Sequence, residues 1–330
     1  MKKQINLIAI ILLISNLVYA QPNDADKFTI GVGGTFAKPK IIPALNKLAL
    51  AQITIHYKLT STEKTSAKSN KGERAGAKIS AYLETTDGEL TANDFQEITD
   101  YFYYYFQKKL KENGIDTVAW NTITETEFYK NGDGDGESEK DKKAKNENVW
   151  VTCTANKGNI LYGGGIPFAF GKIKKASRFC EQISAPAGFF YLTVDFADLM
   201  VNLDMKTTTS ENYYYSTTTR KKTYKWAINP DISVIPFNPS LSGGNISLFW
   251  NEKSQSESLL LKKDIAAGVK YADAVNEDAS KLKNSLWAFR KEMTPVVVET
   301  TKEKYKAAAK KALEKYADVF IANRKEFKKN

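Results

Sequence analysis

Between Lys78 and Tyr129 the chain carries a pattern that few folds can accommodate. Lys-Ile-Ser-Ala-Tyr-Leu-Glu at 78–84 reads as a strand, and Asp87-Gly88 marks a turn. Thr91, followed three residues later by Asp94, has the form of a capping box, so a helix starts there. Phe95, Ile98, Phe102, Phe106 and Leu110 then recur at helical spacing and make one apolar face. Asn113-Gly114 stops the helix, because glycine accepts the left-handed backbone that ends helices. Ile115 to Trp120 reads as a short strand, and Thr122 or Thr124 as the cap of a brief helix ending near Tyr129. Strand, helix, strand and helix in that order make an α/β layer.

The flanking segments are read in the same way. Phe28-Thr29-Ile30 begins a strand, Leu45 to Ala51 reads as a helical turn or two, and Ile53 to Leu59 alternates as a half-buried strand. Residues 60–76, rich in Ser, Thr, Lys and Gly, read as a loop. Residues 131–148 form a charged, Gly-rich insertion, and Val149 to Thr154 restores a strand. From Phe189 the character changes to β-rich runs at 190–203, 223–235 and 246–261, which suggest a broad antiparallel portion. Lys206 to Lys222, with Thr-Thr-Thr on each side of Tyr-Tyr-Tyr, reads as a polar hairpin protruding from a sheet. Asp264 to Lys291 reads as patchily helical, with Leu282, Leu286 and Phe289 as its stripe, and Pro295 to Val298 as a last strand. Thr300 with Glu303 opens a final helix, whose apolar side is Tyr305, Ala309, Ala312, Tyr316, Val319 and Phe320. The expected class is α+β: a strand-helix-strand α/β unit joined to an antiparallel β portion, with a C-terminal helix.

The first twenty residues address the chain. Lys2 and Lys3 precede an apolar stretch from Ile5 to Val18, and Val18-Tyr19-Ala20 offers a small-x-small cleavage site. Residues 1–20 are therefore expected to be a cleaved signal peptide, and 21–330 a single large α+β domain with a sub-boundary near 185. No other stretch approaches the roughly 20 apolar residues of a membrane span. No Cys opens the mature part for a lipid anchor. An outer-membrane barrel is disfavoured, because the chain ends in a basic helix and too much of it is helical. The expected location is periplasmic or extracellular, or peripheral to the outer membrane. The net charge of +10 becomes +8 once Lys2 and Lys3 leave. Outside the cytoplasm that charge points away from nucleic acid and toward an envelope protein or an anionic polymer, against the background reading of a solvated surface.

Residues that could carry chemistry are few. His56 is the single histidine and sits mid-strand without a motif, which argues against a Ser-His-Asp triad and against zinc hydrolase sites. An oxidising compartment permits a disulfide between Cys153 and Cys180. Asn131, Asp133, Asp135, Gly136 and Glu137 imitate the front of an EF-hand loop, but its twelfth position is Lys142 in place of the bidentate Glu. The glycines at 31–34 and 163–165 match no phosphate-binding motif, and Lys172, Lys174, Lys175 and Arg178 form a basic cluster after the second group. No metal or cofactor site is assigned. Asp195 with Asp198 and Glu84 with Asp87 are carboxylate pairs, which nearness in sequence alone does not make catalytic. The residues selected for partner binding are Tyr101 and Tyr104 on the long helix, and Tyr213, Tyr214 and Tyr215 at the hairpin tip, since tyrosine is enriched in interface hot spots.

Residues 78–129 resemble the α/β unit of the curli-secretion-channel and TolB amino-terminal-like envelope families. The matching pieces are the 78–84 strand, the Phe95–Leu110 helix, Gly114 and the strand at 115–120. The resemblance implies a non-enzymatic role in envelope assembly. The expected function is thus an exported envelope or secreted protein that binds a macromolecular partner. The alternative is a carboxylate-dependent hydrolase of cell-wall or polysaccharide material.

Overall fold

A computed structural model describes residues 28–31, 40–68, 74–131, 149–161, 170–212, 215–236, 246–282 and 290–329. The fold is α+β. Its first sheet is built around two parallel strands, β2 (Lys47–Lys58) and β7 (Ala187–Asp195), paired from Ala49↔Ala187 to Tyr57↔Val194. On the far edge of β2 lie β5 (Asp116–Thr117) and β6 (Trp150–Thr154). On the far edge of β7 lie β11 (Ile246–Trp250) and β10 (Ser233–Ile235), both antiparallel to it. β12 (Ser256–Leu261) and β1 (Phe28–Gly31) continue outward from β11, and β13 (Ile265–Ala266) from β10.

β2 is buried on both faces, not on one. Leu48, Leu50, Ile53, Ile55 and Tyr57 enter one core, and Ala49 and Ala51 the other. A register slip opposite β7 between Leu50 and Gln52 lets Ile53 follow Leu50 on the same face, as an inserted bulge residue does. Residues 45–51, read as helical turns, belong to this strand from Lys47; the helix is the single turn α1 (Ile41–Ala44).

The long helix is α2 (Ala92–Glu112). Thr91 and Asp94 form the reciprocal capping box, and Gly114 ends the helix at φ +70°. All five stripe residues are fully buried. They pack against β2 and against α6 (Lys302–Lys329), whose own stripe from Tyr305 to Phe320 is buried as well. The cap of α6 is Thr301, not Thr300: its hydroxyl accepts from the Lys304 N–H at 3.3 Å, while the Thr300 hydroxyl donates to the Tyr271 carbonyl at 2.8 Å. Asp87, in the turn before α2, accepts from the Lys302 N–H at 2.9 Å and joins the starts of the two helices.

The second core lies on the other face of the sheet, under α3 (Trp120–Thr124), α4 (Glu127–Lys130) and α5 (Phe170–Ile183). The strand read at 115–120 is only β5, because Trp120 already begins α3, and Thr126 caps α4. Cys153 belongs to the first core and Cys180 to the second. The sheet separates them and no disulfide joins them.

A second sheet extends from the first. β3 (Thr60–Lys68) and β4 (Arg74–Thr85) form an antiparallel hairpin where the composition of 60–76 reads as a loop. β4 also pairs in parallel with β15 (Arg290–Glu292) and β16 (Val296–Thr300), and β16 pairs antiparallel with β14 (Ala274–Glu277). The described part of 264–291 is therefore strand and turn with one 3-10 turn at Ala279–Lys281, and Leu282 is exposed; Leu286 and Phe289 lie outside the described residues. The β-rich half is not purely antiparallel, since β7 joins the earlier β2 in parallel across the sub-boundary near 185.

The Tyr305 ring lies in the first core, 6.0 Å from the Phe95 ring, and its hydroxyl is one of several buried polar groups without a hydrogen-bond partner among the described residues. Burial pushes its ionisation far up. Tyr305→Phe is expected to raise unfolding stability by about 1 kcal/mol, read from the urea midpoint, because it removes an unsatisfied polar atom at constant shape. A loss of stability would show that a buried water serves the hydroxyl.

Candidate functional site

The carboxyl ends of parallel strands gather functional groups in open sheets. Here β2 ends at Lys58 and β7 at Asp195, and their side chains form an ion pair, with only 16% and 7% of their surfaces exposed. Asp195 also accepts from the Phe196 N–H at 2.9 Å and the Ser61 hydroxyl at 3.4 Å. Burial raises the Asp195 carboxyl despite the Lys58 ammonium. Burial likewise raises Glu63 and Asp264, which feel the same ammonium and the charges of Asp195 and Asp198.

This joint has a mechanical use. After Leu59, β2 continues as β3. After Phe196-Ala197, β7 continues as β8 (Asp198–Asn212), which pairs with β9 (Tyr215–Asn229). The ion pair thus ties two strands together at the place where both leave the sheet. Asp195 is engaged by an ammonium and a backbone N–H, while its sequence partner Asp198 is exposed. Glu84 pairs with Lys281, and Asp87 caps α6.

The β8–β9 ribbon is in register from Asp198↔Asn229 to Asn212↔Tyr215. Each strand has 15 residues, a length of about 50 Å when extended. Leu199 and Val201 are buried, and Ile228 and Trp226 lie opposite them as a footing beside β3 and β4. Leu203 and Tyr224 continue the apolar side, and the Lys291 ammonium lies 4.8 Å from the Tyr224 ring centre. Farther out the strands read Thr-Thr-Thr-Ser-Glu-Asn and Ser-Thr-Thr-Thr-Arg. Among the described residues, β8 and β9 pair only with each other. Tyr215 opens β9; Tyr213 and Tyr214 lie outside the described residues.

On α2 the tyrosines part ways. Tyr101 donates to Glu314 of α6 at 2.6 Å, stacks on Tyr105 at 6.0 Å and lies under Lys310 at 4.9 Å. The Glu314 hydrogen bond is the main reason its hydroxyl is pushed up to about 12. Tyr101 is thus built into the contact between α2 and α6. Tyr103 is buried, and Tyr104 is 61% exposed, with its hydroxyl 3.3 Å from Asn156.

His56 meets the Thr152 hydroxyl at 2.7 Å through Nδ1 and lies 4.5 Å from the Tyr191 ring, a packed position in mid-strand. Among the described residues no cluster of three His, Cys, Asp or Glu side chains is arranged to hold a metal, and no helix is long and apolar enough to cross a membrane. Residues 132–148 and 163–165 lie outside the described residues. Lys174, Lys175 and Arg178 are exposed on α5. The joint carries no local sequence signal, because Lys58 and Asp195 stand 137 positions apart. Comparison with protein-family models, curated proteins and solved structures found no match.

Proposed function

We propose that the chain is an exported envelope or secreted protein that binds a macromolecular partner through the β8–β9 ribbon and serves assembly rather than catalysis. One observation carries this reading: the ribbon runs on past its apolar footing as two strands paired only with each other among the described residues. A two-stranded hairpin is marginal alone, and its open edges invite pairing by another chain. The Lys-rich and apolar opening of the chain supports export, and the resemblance of 78–129 to envelope α/β units supports an assembly role. The hydrolase reading is weakened because Asp195 is occupied in tying the two strands together.

Replacing Tyr213, Tyr214 and Tyr215 together by Ser is expected to reduce partner capture about tenfold or more, the scale of a hot spot. Capture is measured by cross-linking in intact cells, with the captured protein or polymer identified by mass spectrometry. Thermal stability should stay within experimental error of the parent. Undiminished capture would reject the ribbon tip as the binding site.

A further inference from the structure

We infer that the partner is a linear polyanion, held by a basic band across the outer parts of the two hairpins; this rests on the ribbon-binding reading above. The placement follows from topology. β2 and β7 are parallel, so β3 and β8 leave the sheet in the same direction, side by side. Counted from the Lys58–Asp195 pair, Lys68 lies ten residues on (68 − 58) and Lys206 eleven (206 − 195). Register then places Arg74 opposite Lys68, and Lys221 opposite Lys206. Four cations therefore stand at comparable numbers of residues from the joint on four strands, with Lys222 next to Lys221 and Lys225 nearer the footing.

Both hairpins thus set like charges directly opposite each other, an arrangement that destabilises a strand pair. A ligand of opposite charge compensates it. Lys68, Arg74, Lys206, Lys221, Lys222 and Lys225 are all exposed, and none takes part in an ion pair among the described residues. Four lysines of α6 are treated differently. Lys304 pairs with Asp273, Lys306 and Lys310 with Glu97, and Lys311 with Glu314. Among the described residues the acidic groups near the band are Asp204, opposite Thr223, and Glu63 on β3, both closer to the footing; Glu211 lies farther out, opposite Ser216.

A polymer fits better than a bilayer. Neither alternate set of residues in 207–212 or 215–220 contains an aliphatic side chain that would insert among acyl chains. The hydroxyl-rich strands suit hydrogen bonding to a hydrated chain whose carboxylate or phosphate groups repeat along its length.

The test measures binding of the mature chain to labelled polygalacturonate and to labelled polyphosphate by fluorescence anisotropy, at low and at fourfold higher salt. Tight binding to at least one probe, weakened about tenfold or more by the added salt, is expected. The probe preferred identifies the anion as carboxylate or phosphate. Lys206→Ser, Lys221→Ser and Lys222→Ser together should weaken binding at least tenfold. The same substitution of Lys304, Lys310 and Lys311 should change it less than twofold. No binding to either probe, equal loss in both variants, or binding confined to phosphatidylglycerol vesicles would overturn the inference. Those outcomes leave the ribbon reading standing if the tyrosine variant still loses its cross-linked partner. If that variant also keeps its partner, both fail.

Discussion

Lys58→Ala is expected to cost about 3 kcal/mol or more of unfolding stability at neutral pH, measured by urea denaturation. The substitution leaves Asp195 buried and charged without its counter-ion, the case in which breaking an ion pair is most destabilising. It also removes the positive charge that Glu63 and Asp264 feel. The pH dependence has a definite sign. A carboxyl whose folded pKa lies above its unfolded value is bound more tightly by protons in the folded state. Its unfavourable contribution is complete above the folded pKa and fades as pH falls toward the unfolded value near 4. Asp195, Glu63 and Asp264 are all raised, and loss of Lys58 raises them further. The gap between variant and parent should therefore narrow as pH falls from 7 toward 4. Lys58→Met with Asp195→Asn should recover most of the loss, because the carboxamide still accepts from the Phe196 N–H. A loss under about 1 kcal/mol, equal across that pH range, would mean that water screens the pair.

That joint marks the limit of what the sequence conveys. Each residue of it is ordinary in its local setting, and only the parallel pairing of β2 with β7 brings the two ends together. Local signals were much clearer. α2 and α6 announce themselves because one side of each is buried, so their apolar residues recur with the turn of the helix. β3 gives no such signal: Thr-Ser-Thr-Glu-Lys-Thr-Ser-Ala-Lys is polar throughout, and the strand is held by its register with β4, whose Ala75, Ala77, Ile79 and Ala81 are buried. α5 had a readable stripe in Ala176, Phe179, Cys180 and Ile183, all buried. The basic residues interleaved with it drew the reading toward a charge cluster. At 264–291 Leu282, Leu286 and Phe289 have helical spacing, yet Leu282 is exposed beyond a strand and a turn.

The candidate surface was legible in part for the same reason. Thr-rich runs on either side of a tyrosine triplet specify a hairpin from local sequence alone, and β8 pairs with β9 accordingly. Tyr101 could not be separated from Tyr104 in this way. They lie three residues apart on one helix, and only the position of α6 decides that Tyr101, 36% exposed, bonds Glu314 while Tyr104 stands 61% exposed.

Phe190→Ala is expected to cost about 3–5 kcal/mol, the range for deleting a fully buried aromatic ring. Phe190 projects from β7 to meet Phe106 of α2 at 5.2 Å, Phe249 of β11 at 5.6 Å and Phe320 of α6 at 6.0 Å. The site has no spare room to collapse into. Gly188, two residues earlier on the same strand face, is already as close as a backbone can come: a Cβ there would lie 2.8 Å from the Phe190 ring and 3.3 Å from that of Phe249. The ring thus joins elements from both sides of residue 185. Urea unfolding of the parent should be one transition, with the same midpoint by far-ultraviolet circular dichroism and by tryptophan fluorescence, and the variant should shift both together. Two transitions in the parent, with only one displaced in the variant, would mean that the chain divides near 185 into separately folding parts and that this knot of phenylalanines belongs to one of them.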